Sequence, residues 1–184
     1  LACSFQLDWP DLEILIVDQT EQHEPETVRL LNQLPPHVRY INLRPPGASE
    51  ARNRAIESAT GDILICIDDD TTFGPDFVSA HVDAIQAGAS VVQGRIVEPG
   101  RGVSHRPPWM LPWLRVVGSN TFDGEGMTNI LTGCNFSITR ESQREIGLFD
   151  ERYSGIASCE DTDFGVRCHR AGFKIHFSPK AALT

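Results

Sequence analysis

Five consecutive apolar residues, Ile63-Leu64-Ile65-Cys66-Ile67, run straight into Asp68-Asp69-Asp70. An unbroken apolar run of that length, rich in β-branched side chains, predicts a strand buried on both faces. Such strands occur where helices cover a sheet from either side. The chain repeats this theme. Leu12–Val17 predicts a buried strand ending at Asp18, and Val38–Leu43 and Ser90–Val97 predict two more. Helical stretches lie between them: Glu24–Gln33, closed by Pro35-Pro36; Ser49–Ala59, entered through Gly47 and stopped at Gly61; and a helix opened by Pro75 that runs to Ala87 before Gly88. This alternation predicts an α/β fold, a Rossmann-like and mostly parallel sheet with helices on both faces.

Beyond residue 98 the pattern loosens. The proline-rich stretch Pro99–Pro112 is incompatible with long regular structure and carries Trp109, with Trp113 just after it. Ile130–Thr139 reads as a strand with Gly133 inside it, Asp161–Ala171 as an amphipathic helix with Phe164, Cys168 and Ala171 on one stripe, and Lys174–Ser178 as a last short strand. Residues 1–7 read as the tail of a helix. The 184 residues suit a single domain with a substantial core.

The three aspartates are the chemically loaded feature. Ligands of open α/β sheets bind outside the carboxyl ends of strands. Adjacent carboxylates repel by roughly 1 kcal/mol per pair at 4 Å in water and about 4 kcal/mol at an effective dielectric of 20. A cation removes that cost. Alternate side chains of an extended segment share a side, so Asp68 and Asp70 can face one site. Few hard oxygen ligands suit Mg²⁺ or Mn²⁺ completed by phosphate and water. A solvated acidic turn is the competing explanation.

A second acidic group, Glu160-Asp161-Thr162-Asp163, opens the amphipathic helix. Helix capping accounts for part of it, since acids favour a first turn; a general base accounts for it equally. Gly47-Ala48-Ser49 enters a helix carrying Arg52 and Arg54, which is either a capped surface helix or an anion site.

The formal net charge of −9 excludes wrapping of nucleic acid, which needs a basic face. It does not exclude a nucleotide diphosphate bridged by a metal ion. Lys174 and Lys180 are the only lysines, so a phosphate clamp upstream must use Arg, backbone N–H groups or metal. Five cysteines, at 3, 66, 134, 159 and 168, form no CxxC pair and indicate a reducing, cytosolic setting. Cys159, Cys168 and His169 lack the second ligand pair of a zinc site, and the cysteines read as ordinary thiols on a helix. Trp109 and Trp113 read either as a lid or acceptor platform, because aromatic faces stack on sugar rings, or as core residues pinning a loop.

Four stretches in order, PDLEILIVDQT, GASEARNRAIESATGDILICIDDDTTFGPDFV, LTGCNFSITRESQREIGLFDERY and CEDTDFGVRCHRAGFKIHFSP, resemble family 2 glycosyltransferases of the GT-A fold. The resemblance covers most of the chain from Pro10 to Pro179. It implies a donor half over residues 1–98 and an acceptor half over 99–184. Asp18 matches the acid that contacts the nucleobase, with Gln19 where the family often has a second Asp. Arg52 matches a residue near the nucleotide. Asp68 and Asp69 match donor-side positions of the DxD motif, with Asp68 and Asp70 on the metal, Mn²⁺ or Mg²⁺, and Asp70 as the direct ligand. Glu160-Asp161 matches the ED motif, Asp161 being the catalytic base. Gly133-Cys134-Asn135, Glu160 and Trp109 fall on the acceptor side. The family's first strand should precede Leu1, and its metal-binding histidine should come due after Thr184.

The resemblance further implies an inverting transfer of a hexosyl group from a nucleotide-diphosphate donor, a UDP-sugar foremost, to a saccharide or lipid-linked acceptor in polysaccharide biosynthesis. It places the protein in the cytoplasm at the inner face of the membrane, with peripheral membrane association of the full-length protein. Two other readings compete. The Asp68-x-Asp70-x-Thr72 pattern also fits a haloacid dehalogenase-like phosphatase with Asp68 as nucleophile, although no lysine occurs between Asp70 and Asp161. A non-catalytic carbohydrate- or calcium-binding module is the other.

Overall fold

The computed structural model describes residues 9–113, 115–153 and 159–184. The helix tail expected over residues 1–7 lies outside them. The chain forms two compact units, one of residues 1–61 with 148–160, the other of residues 62–147 with 161–184.

In the first unit, β1 (Ile14–Asp18) and β2 (Val38–Asn42) pair in parallel, joined through α1 (Pro25–Leu31). Pro25 opens α1, where its missing N–H is not needed. β1 is half-buried along its whole length instead of sealed on both faces. α2 (Ala48–Ser58) packs on β1. Its entry residue, Gly47, is extended and buried, and the Glu50 carboxylate folds back onto it so closely that a Cβ would stand 2.0 Å from Oε2. A side chain at residue 47 would oblige the Glu50 carboxylate to swing away from the entry of α2.

The second unit is built on β3 (Ile63–Ile67), α3 (Phe77–Gln86), β4 (Val91–Ile96), β7 (Gly126–Thr128), β8 (Asn135–Thr139), α4 (Arg140–Ile146), α5 (which opens at Glu160 and runs to Arg170) and β9 (Ile175–Leu183). Between β4 and β7 a two-stranded hairpin, β5 (Trp109–Met110) and β6 (Val116–Val117), interrupts the proline-rich stretch. The five-stranded sheet has the order β3-β8-β4-β9-β7. β3, β4 and β9 run in one direction, with β8 and β7 against them.

Alternation along β8 divides the two faces of this sheet. Asn135 and Ser137 meet His81 of α3, whereas Phe136 packs against Phe164 of α5, ring centroids 6.1 Å apart. Helices therefore cover both faces. Phe136, Phe164, Phe177, Leu131, Ile138 and Ile175 are fully or almost fully buried, each contributing roughly 1.5–3 kcal/mol. Ala171, expected on the buried stripe of α5, is exposed just past the helix end.

Two strand boundaries differ from the sequence reading. The strand expected over Ile130–Thr139 begins only at Asn135. The N–H groups of Thr132 and Gly133 bond to side chains, Gln93 Oε1 at 2.7 Å and Asp161 Oδ2 at 2.8 Å, and are lost to any ladder. The last strand extends beyond Ser178 to Leu183, passing Pro179 through a register shift opposite Gly94/Arg95.

Candidate active site

In the first unit, Asp18 ends β1 and its carboxylate is held by three partners. Tyr40 donates to Oδ2 at 2.7 Å, Thr20 N–H donates to Oδ1 at 2.8 Å, and His23 Nε2 lies 2.5 Å from Oδ2. Burial works to raise the Asp18 pKa, but the bonds from Tyr40 and Thr20 and the nearby His23 outweigh it and hold the group at about 2. Asp18 is therefore an ionised, oriented acceptor at neutral pH, and its bond with Tyr40 raises the phenol pKa in turn. Gln19 donates to Gly47 O at 2.8 Å, bracing the loop before α2, and Arg44 donates to the carbonyls of Gln19 and Thr20. None of Tyr40, His23 and Arg44 stood out in the sequence. The usable signal was the alternation of β2, which sets Tyr40 beside Ile16, two residues before Asp18.

The same unit holds an ion pair between residues 108 positions apart. Arg52 donates to Glu160 Oε1 at 2.7 Å, with side chains only 16% and 11% exposed, and its guanidinium also lies 5.6 Å from the centre of the Phe149 ring. Next to it, Asn53 clamps Phe149 through its backbone, receiving N–H at 2.8 Å and donating to O at 3.0 Å, and reaches Glu151 at 2.9 Å. Consecutive residues of α2 thus hold Glu160 and the backbone of Phe149.

In the second unit, Asp68, Asp69 and Asp70 are exposed at the carboxyl end of β3, and the Thr71 hydroxyl donates to Asp68 O at 2.8 Å. Ile67 is the register partner of Asn135. The residue after Ile67 is Asp68, and the residues before Asn135 are Cys134 and Gly133. Gly133 N–H in turn holds Asp161 Oδ2, while Asp161 Oδ1 accepts Thr162 N–H at 2.6 Å. The acidic run and Asp161 accordingly stand at one end of the same sheet. What presses α5 to this place is Gly165, one turn after Asp161. A Cβ there would lie 2.5 Å from Leu131 N.

Asn135 is wholly buried. Its amide donates to Arg95 O at 2.8 Å and Ala181 O at 2.9 Å, its Oδ1 meets His81 Nε2 at 3.1 Å, and its backbone O accepts from Gln93. It reaches any ligand only through the turn it supports. Burial holds His81 neutral, with its pKa pushed down to about 4. Trp109 packs edge-on against His169 at 5.8 Å, whereas Trp113 is 70% exposed. Cys168 is buried and its thiol is pushed up to about 12, which leaves it inert as a thiolate ligand.

Among the described residues, no three His, Cys, Asp or Glu side chains form a ready-made metal cage. Two exposed carboxylates at a strand end instead match a hard cation that takes one or two protein carboxylates and completes its shell with phosphate and water. No helix among the described residues is long and apolar enough to cross a membrane.

Residues 2–147 match the model of the family described as Glycosyl transferase family 2. The chain is 30% identical over 178 residues to the succinoglycan biosynthesis protein ExoM of Rhizobium meliloti, covering 92% of this chain and 55% of that protein. It is 29% identical over 143 residues to a glucosyl-dolichyl phosphate glucuronosyltransferase of Haloferax volcanii, covering 74% and 45%. The chain thus spans about half the length of these relatives. Among solved structures, GalNAc-T7 with UDP, GalNAc and Mn²⁺ superposes with a TM-score of 0.73 at 19% identity, over 93% of this chain and 37% of that one. A mannosyltransferase of Pyrobaculum calidifontis with GDP-Man and Mn²⁺ gives 0.70 at 18%, over 99% and 50%. These likenesses show the GT-A fold. By its sequence, the chain belongs to glycosyl transferase family 2.

Proposed function

We propose that the chain carries donor and catalytic residues of an inverting, metal-assisted transfer of a hexosyl group from a nucleotide-diphosphate sugar to an acceptor hydroxyl, with Asp161 as the base. The observation that carries this is the 2.8 Å bond from Gly133 N–H to Asp161 Oδ2, at the sheet end where the acidic run emerges. Both carboxylate oxygens accept backbone N–H groups, Oδ2 from Gly133 and Oδ1 from Thr162, so the group is oriented without a mobile side-chain partner.

In the first unit Asp18 accepts a hydrogen bond from the nucleobase, in an orientation Tyr40 and Thr20 set. Arg52 holds Glu160, the residue before the base. In the second unit Asp70, with Asp68, would hold Mn²⁺ or Mg²⁺, whose charge neutralises the departing diphosphate. Mn²⁺ beside UDP or GDP-Man in the two structural neighbours supports that choice. Asp161 takes the proton of the acceptor hydroxyl as its oxygen attacks the anomeric carbon from the side opposite the diphosphate. One such displacement inverts the anomeric configuration. A saccharide or lipid-linked acceptor fits relatives named for succinoglycan biosynthesis and for glucuronosyl transfer to glucosyl-dolichyl phosphate.

The test is Asp161→Asn in the full-length protein, because Asn still accepts the Gly133 bond. Removing a general base should cut turnover about 10²–10⁴-fold with donor affinity little changed. Near-normal turnover would overturn the assignment.

A further inference from the structure

We infer that Gln93 is a positioning residue for the transfer reaction, setting the turn that aims Asp161; the inference rests on Asp161 being the base. Gln93 lies within β4, beside Val91 and Val92, and like them is wholly buried. An amide survives in such a place only where its polar atoms find partners. Gln93 pairs in register with Phe136 of β8, and directly opposed residues of neighbouring strands share a face. Phe136 packs on Phe164 of α5, so the Gln93 side chain stands on the face that α5 covers. Asp161 sits in the first turn of that helix.

The side chain spans one turn. Its Oε1 accepts Thr132 N–H at 2.7 Å, while Nε2 donates to Asn135 O and to Gly94 O, each at 2.9 Å. Only Gly133 and Cys134 lie between Thr132 and Asn135, and Asn135 N–H closes the turn on Thr132 O at 3.1 Å. One buried amide therefore grips both ends of a four-residue turn. From inside that turn Gly133 N–H holds Asp161 Oδ2 at 2.8 Å. The Thr132 hydroxyl is held as well, accepting from Asn120 Nδ2 at 2.7 Å. All of these residues belong to the second unit.

A backbone N–H can aim a carboxylate only if it is itself fixed. The bonds of Gln93 run to the ends of the turn, so it acts on the base through Gly133. Gln93→Met keeps the length of the side chain and removes its bonds, which frees the turn to drift. A base displaced by about 1 Å costs roughly 10²-fold in turnover. A strut that served the fold alone would slow the enzyme by the same factor whatever stood at residue 161. A positioning residue matters only while the base is present.

The test uses full-length protein. Gln93→Met should lower turnover about 10²-fold with the donor KM little changed. In an Asp161→Asn background the same substitution should lower it no further. Hydrogen exchange of the Gly133 amide, followed by NMR without donor, metal or acceptor, should quicken in Gln93→Met while that of Ile138 in the core of β8 stays slow. Gln93→Glu keeps the shape, and burial holds its carboxyl neutral up to a raised pKa. Its O–H then donates in place of the amide, so turnover should approach the parent's in mildly acidic buffer. As the pH rises and that carboxyl ionises, turnover should fall away from the parent's, all within one folded protein. The inference is overturned if both variants turn over like the parent at every pH, if Gly133 exchange is unmoved in Gln93→Met, or if Gln93→Met slows the enzyme equally with and without Asp161. Failure of the base assignment shows separately, as near-normal turnover of Asp161→Asn with Gln93 intact.

Discussion

Gly165→Ala tests how Asp161 is held in place. The added methyl would lie 2.5 Å from Leu131 N, 2.9 Å from Ile130 C and 3.0 Å from Ile130 Cα, all backbone atoms that no rotamer change can move aside. Ordinary contact would require α5 to retreat by about 1 Å. Two effects oppose each other. Alanine gains up to about 1 kcal/mol of helix propensity, whereas overpacking a tight site costs about 1–3 kcal/mol. With backbone on the receiving side the upper end applies, leaving a net loss of about 1–2 kcal/mol. For a protein of this size that is a fall in Tm of about 2–8 °C. The same retreat stretches the 2.8 Å bond from Gly133 to Asp161. Thermal denaturation gives the stability, and hydrogen exchange of the Gly133 amide reports the bond directly. In full-length protein a 1 Å displacement of the base should lower turnover about 10²-fold. A variant that melts at or above the parent temperature with Gly133 still protected would refute the packing argument.

Three further outcomes follow from the buried polar groups. His81 is neutral in the fold with a pKa near 4, below its ordinary 6.5, so its contribution is complete above pH 6.5 and drains away as pH falls toward 4; urea titrations should show a loss of about 3 kcal/mol over that window, absent in His81→Leu. Asp18 is likewise depressed, from 3.8 to about 2, and its stabilisation is present above pH 4 and lost as pH falls through 2; Tyr40→Phe should shrink that acid-dependent difference and raise the carboxyl pKa in a carbon-13 NMR titration. Arg52→Ala should cost about 3–5 kcal/mol by stranding Glu160, whereas Arg52→Met with Glu160→Leu should cost far less in denaturant melts, giving a large coupling energy in a double-mutant cycle.

The strand Ile63–Ile67 and its acidic terminus were legible because a local apolar run and a local charge run carry them. The helices over 48–58 and 77–86 were legible for the same reason, within a residue or two at each end. Long-range polar bonds were not. Residues 130–134 look like a strand because Ile130 and Leu131 are apolar, yet the backbone there serves the side chains of Gln93 and Asp161. Arg52 was tied to the nucleotide by its motif, and the motif could not announce an ion pair with a residue 108 positions away. Nothing in the letter Asn at 135 distinguishes a solvent-facing amide from one sealed in a core. That distinction comes only from three strands and a helix meeting around it.

The amide of Asn135 occupies the very space a side chain on Gly94 would need, its Nδ2 and Oδ1 both 2.4 Å from that absent Cβ. The neighbouring strands are therefore keyed to one another like ward and bit. Trimming Asn135 alone would open nothing, because the carbonyl oxygen of Ala181 also stands 2.3 Å from that point, so the glycine is fixed from two sides at once. Alignments of its kin should show the small residue kept even where the carboxamide on the next strand has been exchanged.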